Sequence, residues 1–402
     1  MRISGLLLLA LLVLPGLPAA AVEPAPQQSV TVAQLEQTVG AAHQSDRDVA
    51  RLLLGLQLTQ RLSAERFDRL DQALPGHRSR EALLVVADLS AFLDLPASEV
   101  PANPAPDATM QKQILSRAVD YVAAATLRLP DFLVTRRLTR FEDLQVVRGV
   151  NDPVTVRTLP FRREDRSMAT TLFREGREVV EPASRSDATQ ASGLTDYGVF
   201  GVLLAVVTGD IRSGQIAFDH WEGGAERLAV FRFAVPESQS HYSVEFCCYQ
   251  AEDGWLRRYQ ANPRYHGEFA IEPDSGAILR LVLKTDLDPS PMLHIEAESE
   301  KPLRRADILV EYGPVVIGGR TYICPLRSIS VMTTWTLGGN GPVPPVQFDA
   351  QGHLRPAAPA RSRRVEYSRV TALNHYQFEG HHLFRGDVRI LPAVEAVPEQ
   401  PR

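Results

Sequence analysis

Two histidines and a glutamate on adjacent predicted strands are the side chains best placed for acid–base or metal chemistry. His266 and Glu268 stand two residues apart, so a strand directs both to the same face. His241 lies on the preceding predicted strand. If the two strands pair, two imidazoles and a carboxylate converge, which suits a weak metal site or the acid–base pair of a metal-assisted hydrolase. The alternative is a polar cross-strand pair that only stabilises the sheet.

A row of polar side chains follows on a later predicted strand. Alternation places His294, Glu296, Glu298 and Glu300 on one face. The carboxylates could bind a hard cation such as calcium. They could equally form the solvent-exposed face of a sheet, where like charges prevent edge-to-edge pairing.

The short motifs of the common catalytic classes are missing from the sequence. There is no Gly-x-Ser-x-Gly elbow and no His-Glu-x-x-His zinc helix, and the glycine-rich run at 337–341 leads into prolines instead of a helix. A net charge of −5 over 402 residues is too small to recruit nucleic acid. We therefore predict a non-enzymatic protein with no cofactor and no nucleic-acid partner.

The three cysteines can form one disulfide at most. Cys247 and Cys248 are neighbours, so on a strand they point to opposite faces and only one of them can face Cys324. One bridge with a leftover thiol, and a set of buried reduced thiols, are both compatible with the sequence.

Residues 1–21 have the pattern of a secretory signal peptide. Arg2 precedes an apolar run at 6–14, and small residues at 19–21 suit signal-peptidase cleavage. No cysteine follows the run to carry a lipid anchor, and no later stretch reaches the roughly 20 apolar residues that span a bilayer. We predict a periplasmic or extracellular protein without a transmembrane segment.

Helical periodicity dominates residues 30–130, after a disordered lead-in at 22–29. Ser63 and Asp107 are placed to cap helices, and Pro130 ends the last one. We interpret this region as a small antiparallel bundle of four or five helices.

From residue 131 the apolar pattern alternates with period two, which predicts strands. The domain is expected to span 131–336, followed by a mobile Gly/Pro-rich loop at 337–361, closing strands within 362–390 and a disordered tail at 391–402. The predicted strands are 132–139, 144–149, 154–161, 168–174, 177–182, 214–221, 227–234, 241–250, 265–272, 277–285, 292–299, 305–312, 320–332, 363–373 and 376–384.

One apolar helix interrupts the strand pattern. Residues 195–209, with Thr195 as the capping residue, carry apolar side chains nearly all round, so the helix must be enclosed on most sides. The concave face of a curved sheet would enclose it. The expected fold is α+β, with an N-terminal small helical bundle followed by a curved antiparallel β half-barrel that encloses this helix.

Three segments carry a resemblance to known proteins: GDIRSGQIAFDHWEGG from 209, YHGEFAIEPDSGAILRL from 265 and ILVEYGPVVIGGRTYICPLRSIS from 308. They resemble a group of secreted bacterial proteins of unassigned function. The succession of hairpins is also similar to the lipoprotein-carrier half-barrels of the LolA and LolB type. That resemblance implies an unclosed barrel whose helix-covered concave face binds acyl chains. The helical N-terminal domain and the loop at 337–361 depart from that pattern.

The function that this resemblance implies is binding of a lipid, lipoprotein-derived or other apolar ligand in the half-barrel concavity. A carrier needs an accessible apolar pocket of roughly 300 Å³ or more. The alternative is a structural or interaction module of the cell envelope, with a filled core and an envelope protein as partner. The expected ligand-lining residues are Phe200, Leu203, Leu204, Val207, Phe231, Phe233, Phe246, Phe269, Ile278 and Leu281.

Overall fold

The structure is a computed structural model, and it describes residues 28–41, 45–148, 155–180, 198–223, 227–250, 256–287, 303–338 and 366–384. The predicted signal peptide, the acidic row at 294–300, Thr195 and the predicted C-terminal tail lie outside the described residues. So do the predicted strand at 292–299 and the predicted loop beyond residue 338.

The described residues contain six α-helices and two short 3-10 helices, at Ala97–Glu99 and Glu237–Gln239. No helix of these ranges combines the length and apolarity needed to cross a membrane. The helices are α1 (Val32–Ala41), α2 (Asp46–Leu54), α3 (Ala64–Ala73), α4 (His77–Ser90), α5 (Ala108–Arg128) and α6 (Val202–Asp210).

Fourteen strands are found in the same ranges. They are β1 (Gln28–Val30), β2 (Leu56–Leu58), β3 (Phe132–Arg148), β4 (Thr155–Arg174), β5 (Arg177–Val180), β6 (Gln215–Glu222), β7 (Leu228–Val235), β8 (Val244–Gln250), β9 (Leu256–Ala261), β10 (Tyr265–Ile271), β11 (Ile278–Thr285), β12 (Leu303–Ile317), β13 (Arg320–Gly338) and β14 (Glu366–Leu383).

Ten of these strands form one antiparallel sheet, in the order β5-β4-β3-β14-β13-β12-β11-β10-β7-β6. The edge strands β5 and β6 do not pair with each other, so the sheet is open. The β8–β9 hairpin is separate, and β1 pairs with β2 in parallel. The mixed α+β class and the antiparallel sheet are confirmed. The end of the expected disordered lead-in is instead the strand β1.

Three long strands were expected as separate shorter ones. Strand β3 covers the segments predicted at 132–139 and 144–149, and β4 covers those predicted at 154–161 and 168–174. The closing pair predicted at 363–373 and 376–384 is the single strand β14. Each long strand pairs along most of its length with a neighbour, and β3 absorbs its polar interruption by register shifts at Arg140/Phe141 and Glu142/Leu144. Bulges therefore lie where the two predicted strands were separated.

Both faces of the sheet are covered by helices. On β11, Leu281 and Leu283 belong to the core with α5 and α6, on what we call the inner face. Val282 belongs to the core with the end of α4, on the outer face. A strand that is buried on both faces carries a continuous run of apolar residues. Apolar and polar residues therefore do not alternate at 281–283 of β11.

The helices divide between the two faces. Helices α1 to α4 share a core of their own with β1 and β2 and cover the outer face through α4. There the His375 imidazole contacts the Asp88 carboxylate (Nδ1–Oδ2 2.8 Å), and both side chains are buried. Helix α5 instead packs with α6 on the inner face through Ile114, Ala118 and Val122. A single bundle of all five N-terminal helices is therefore not formed.

The connection from α4 to α5 passes the edge strand β6. Trp221 on β6 donates its indole N–H to the carbonyl oxygen of Pro104 (2.9 Å). The proline-containing connection thus leads the chain from the outer to the inner face.

We predict that Gly276→Ala destabilises the fold strongly. The Gly276 φ of +78° favours glycine, and an added Cβ would lie 2.5 Å from the carbonyl carbon of Arg117 on α5. Left-handed backbone costs about 1–2 kcal/mol for alanine, and overpacking adds about 1–3 kcal/mol. Urea denaturation measures the loss.

Gly319→Ala is the matched control for this variant. Gly319 also has a positive φ, of +82°, but no atom lies within 4 Å of the position that an added Cβ would take. Only the backbone cost is expected there. Equal losses for the two variants would contradict the close packing of the β10–β11 turn against α5.

Candidate functional site: the α6 groove

The residues expected to line a ligand cavity are packed together on the inner face. All of them except Phe246, whose side chain is outside the described residues, belong to the inner core, and each is buried. The space left between α5, α6 and the sheet is about 30 Å³, beside Phe200, Leu204 and Tyr312. That is room for about one water molecule. Among the described residues, side chains fill this space.

The expected convergence of His241, His266 and Glu268 does not occur. Strand β10 pairs with β7 and β11, and β8 pairs only with β9, so the strands assumed to be neighbours are not. His266 contacts Asp286 (Nδ1–Oδ1 3.1 Å) and Glu268 contacts arginines on the outer face. The described residues contain no group of three metal-binding side chains. A metal-assisted hydrolase built on these residues is not supported.

Cys324 is a free, buried thiol in the inner core. Burial raises its pKa to about 12, so it stays protonated and unreactive at neutral pH. The side chains of Cys247 and Cys248 lie outside the described residues.

Helix α6 is shorter than predicted and only partly enclosed. Gly198 and Gly201 have φ of +79° and +137°, which are not helical, so the helix begins after them. Leu203, Leu204 and Val207 are buried against the sheet. The opposite side is open to solvent in part, and Val202 is 48% exposed. The expected enclosure on most sides is therefore replaced by burial of one side.

A groove of about 700 Å³ lies along the open side of α6. This volume is within the range of small-molecule binding sites. One wall of the groove consists of apolar residues at helical spacing on α6. One end of the groove is lined by polar residues. The lining residues are Val202, Ala205, Val206, Gly209, Asp210, Ser213, Ser238, Gln239 and His241.

Asp210, the last residue of α6, organises the polar end of the groove. Its buried carboxylate accepts hydrogen bonds from the Tyr265 hydroxyl (2.8 Å) and from the backbone N–H of His241 (2.8 Å). The His241 ring nitrogen Nδ1 lies 2.6 Å from Asp210 Oδ1. Burial, and then the hydrogen bond to Asp210, raise the pKa of Tyr265, so the hydroxyl remains a donor.

The geometry fixes which nitrogen of His241 is available. A carboxylate only accepts hydrogen bonds, so Nδ1 carries the ring hydrogen and donates it in a hydrogen bond to Asp210 Oδ1. In the neutral ring Nε2 is then an acceptor. The side chain is 79% exposed, so this acceptor is accessible from the groove.

Gln239 also lines the groove. Its side-chain oxygen Oε1 is buried and has no hydrogen-bond partner among the described residues. Buried polar atoms in native proteins nearly always have a partner. Because this oxygen has almost no surface exposed in the groove, it is not available to a ligand there.

A buried ionic network on the outer face joins the helical region to the sheet. Arg280 binds Glu222 through two bonds (Nη1–Oε2 2.6 Å, Nη2–Oε1 2.8 Å) and Glu268 through a third (2.9 Å). Arg61, between β2 and α3, contacts both glutamates. Burial acts to raise the pKa of Glu222, but hydrogen bonds from His220 and Arg280 and the charge of Arg61 hold it well below its usual range.

Sequence reasoning did not single out Asp210 or the ionic network. One signal for Asp210 was present. A carboxylate at the C-terminal end of a helix opposes the helix dipole, so it needs donors from elsewhere in the fold. The partners in the outer-face network are separated by up to 207 residues, and no local pattern connects them.

We predict that Arg280→Met destabilises the protein by about 3–5 kcal/mol, because two buried carboxylates lose their shared partner. The four side chains of the network are no more than 15% exposed. Arg264→Met is the control, since the Arg264 side chain is 66% exposed and 3.8 Å from Asp286. It should cost about 0–1 kcal/mol. Similar costs in chemical denaturation would show that the network contributes little.

We also predict a pH-dependent effect of His220→Gln. Hydrogen bonds to Glu222 and Asp219 raise the pKa of His220 from its usual value of 6.5. A raised pKa in the folded state stabilises the protein fully below the unfolded value and no longer once the pH exceeds the folded value. The stability difference between wild type and variant should therefore shrink as the pH rises from 6 to 9. A difference independent of pH in urea titrations would contradict this.

Comparisons with known proteins give no relative from which a function could be transferred. No family model matches the chain, and no curated protein matches it. Among solved structures, the chain is similar to the secretin domain β-barrel of InvG from the Salmonella SPI-1 injectisome, with 7% identity, 65% of each chain covered and a TM-score of 0.16. The InvG secretin from residue 176 to its end, in the open gate state, gives 9% identity, 86% of this chain and 82% of that chain covered, and a TM-score of 0.11. Scores this low carry no argument about fold or role.

Proposed function

We propose that this protein binds an amphiphilic ligand, and that the ligand lies in the groove on the open side of α6. The observation that carries the proposal is the groove itself, about 700 Å³ with an apolar wall and a polar end. The space beneath α6, where the sequence placed the ligand, is about 30 Å³. The proposed ligand therefore lies on the side of α6 opposite the one expected from the sequence, in a protein of the periplasm or extracellular space.

The apolar wall would hold the hydrocarbon part of the ligand. Val202, Ala205, Val206 and Gly209 stand at positions that share one side of a helix. Each methylene that the ligand buries against this side contributes about 0.8 kcal/mol. The affinity should therefore increase with the length of the alkyl chain that lies along this side, against the cost of lost freedom on association.

Two sets of contacts support the walls of the groove. Leu203, Leu204 and Val207 anchor α6 in the inner core. Asp210 connects the end of α6 to Tyr265 on β10 and to His241 beyond β7. A site whose walls are held before the ligand arrives loses less conformational entropy on binding.

A second candidate is the interaction module of the cell envelope. Its support is the filled inner core, together with the ionic network that fixes α1 to α4 on the outer face. Among the described strands, β5 and β6 each pair with one neighbour in the sheet, and their other sides could pair with a strand of a partner. This role requires no ligand in the groove.

Val202→Glu tests the ligand-binding proposal. A charge on the apolar wall should weaken binding of a neutral fluorescent alkyl probe at least tenfold, because the ligand chain would have to desolvate it. Fluorescence titration gives the dissociation constant. The fold should be unaffected, since Val202 is 48% exposed.

Val316→Glu is the matched control, because Val316 is 64% exposed and does not line the groove. It should bind the probe like the wild type. Equal affinity of the Val202→Glu variant would exclude the groove as the site. No binding by the wild type would leave the envelope module as the remaining candidate.

A further inference from the structure

We propose that the polar end of the α6 groove hydrolyses an ester bond in an amphiphilic ligand, with His241 as the general base and water as the nucleophile. The inference rests on the proposed function, because the groove would hold the substrate, and it adds a reaction to the binding role. It comes from the buried Asp210 carboxylate, which orients the exposed imidazole of His241 at the end of an apolar wall.

Asp210 holds this histidine through both its main chain and its ring. The carboxylate accepts the backbone N–H of His241 at Oδ2 (2.8 Å) and the ring N–H at Oδ1 (2.6 Å). The Tyr265 hydroxyl also donates to Oδ2 (2.8 Å), and the Asp210 side chain is only 3% exposed. A carboxylate fixed in this way sets the tautomer of the imidazole and stabilises the imidazolium that forms when the ring takes up a proton.

Two other histidines contact carboxylates but have no accessible ring nitrogen. Both nitrogens of His220 are engaged, Nδ1 with Asp219 and Nε2 with Glu222, so neither is left to take a proton from water. His375 contacts Asp88, and both side chains are buried, so a substrate has no access to this pair. These contacts therefore serve the packing of the outer face.

Two exposed histidines have a partner that is itself exposed. His266 contacts Asp286 (Nδ1–Oδ1 3.1 Å), and this carboxylate is 39% exposed. His77 contacts Glu81 (Nε2–Oε1 3.6 Å), which is 27% exposed. Water screens such pairs, so they orient an imidazole only weakly. Among the histidine–carboxylate contacts of the described residues, that of His241 joins a buried carboxylate to a solvent-accessible ring at the wall of a groove.

The proposed reaction needs only the ester and water. Nε2 of His241 takes a proton from a water molecule in the groove, and the water oxygen forms a bond to the ester carbonyl carbon. The tetrahedral intermediate then breaks its bond to the alcohol oxygen, which receives the proton from Nε2, and a carboxylic acid and an alcohol leave. The hydroxyls of Ser213 and Ser238 also line the groove and can donate hydrogen bonds to the negative oxygen of the intermediate.

The sequence predicted a non-enzymatic protein because the common catalytic motifs are missing. Asp210 and His241 are separated by 31 positions and are brought together by the packing of α6, so they form no local motif. A pair of this kind is recognised by its geometry and not by its sequence spacing.

Hydrolysis of p-nitrophenyl octanoate by the full chain tests the inference. We expect His241→Gln to lower kcat/KM by about 100-fold or more, since general-base catalysis contributes about 10²–10⁴-fold. His77→Gln is the matched control, because His77 is also exposed and close to a carboxylate but does not line the groove. It should leave kcat/KM unchanged. An unchanged kcat/KM in His241→Gln, or no hydrolysis by the wild type, would overturn the inference.

A solvent isotope effect separates the activation of water from direct attack by the imidazole on the ester. The wild type should react more slowly in D2O than in H2O, because a proton moves from water to Nε2 as the new bond forms. Equal rates in the two solvents would overturn the role of His241 as a general base.

Titration of the neutral alkyl probe into the same proteins separates the reaction from the binding function. His241→Gln should still bind the probe, because the hydrocarbon part of the probe contacts the apolar wall of α6. Binding of the probe by the wild type without hydrolysis of the ester would reject the reaction and leave the binding function standing. The absence of both would reject both.

Discussion

Covering both faces of one sheet is the constraint on which the rest of this structure depends. A ten-stranded antiparallel sheet with helices on both sides has no solvent-exposed central face for its polar residues. Glu222, Glu268 and Arg280 on the outer face are therefore paired with one another, and Arg61 of the helical region completes the set. Buried ion pairs contribute little net stability, but removing one partner is costly. The network thus favours one orientation of the helical region on the sheet.

The inner face follows a different rule. Its strands present mainly aromatic and aliphatic side chains, and α5 and α6 fill the space above them almost completely. Because the inner side of α6 is used for this packing, only its opposite side remains for recognition. The buried Asp210 then connects that side to the sheet, since its carboxylate needs donors, and Tyr265 and His241 supply them. One side of α6 therefore packs in the core, and the opposite side forms the candidate site.

Local chemistry made the hairpins predictable, and distant pairing made other features unpredictable. The turns before Ala277 and at Gly318 and Gly319 contain glycines with positive φ, which the sequence indicates directly. The continuity of β14 depends on its pairing with β13 and β3 over many residues, which no local pattern reveals. Apolar alternation correctly grouped the inner-core residues. It could not indicate that these side chains fill the space between α5, α6 and the sheet, because that packing depends on all three elements together.

The contact between Asp88 and His375 has a consequence for the order of folding. The two residues are separated by 287 positions, yet both are buried in one pair at the centre of the outer face. Contacts of such sequence separation form late and slow the search for the native topology. Helices α1 to α4 can assemble their own small core early. Their docking surface is complete only after β14, the last strand of the described chain, has joined the sheet. We therefore expect the N-terminal region to form its own core early and to reach its final position on the sheet late.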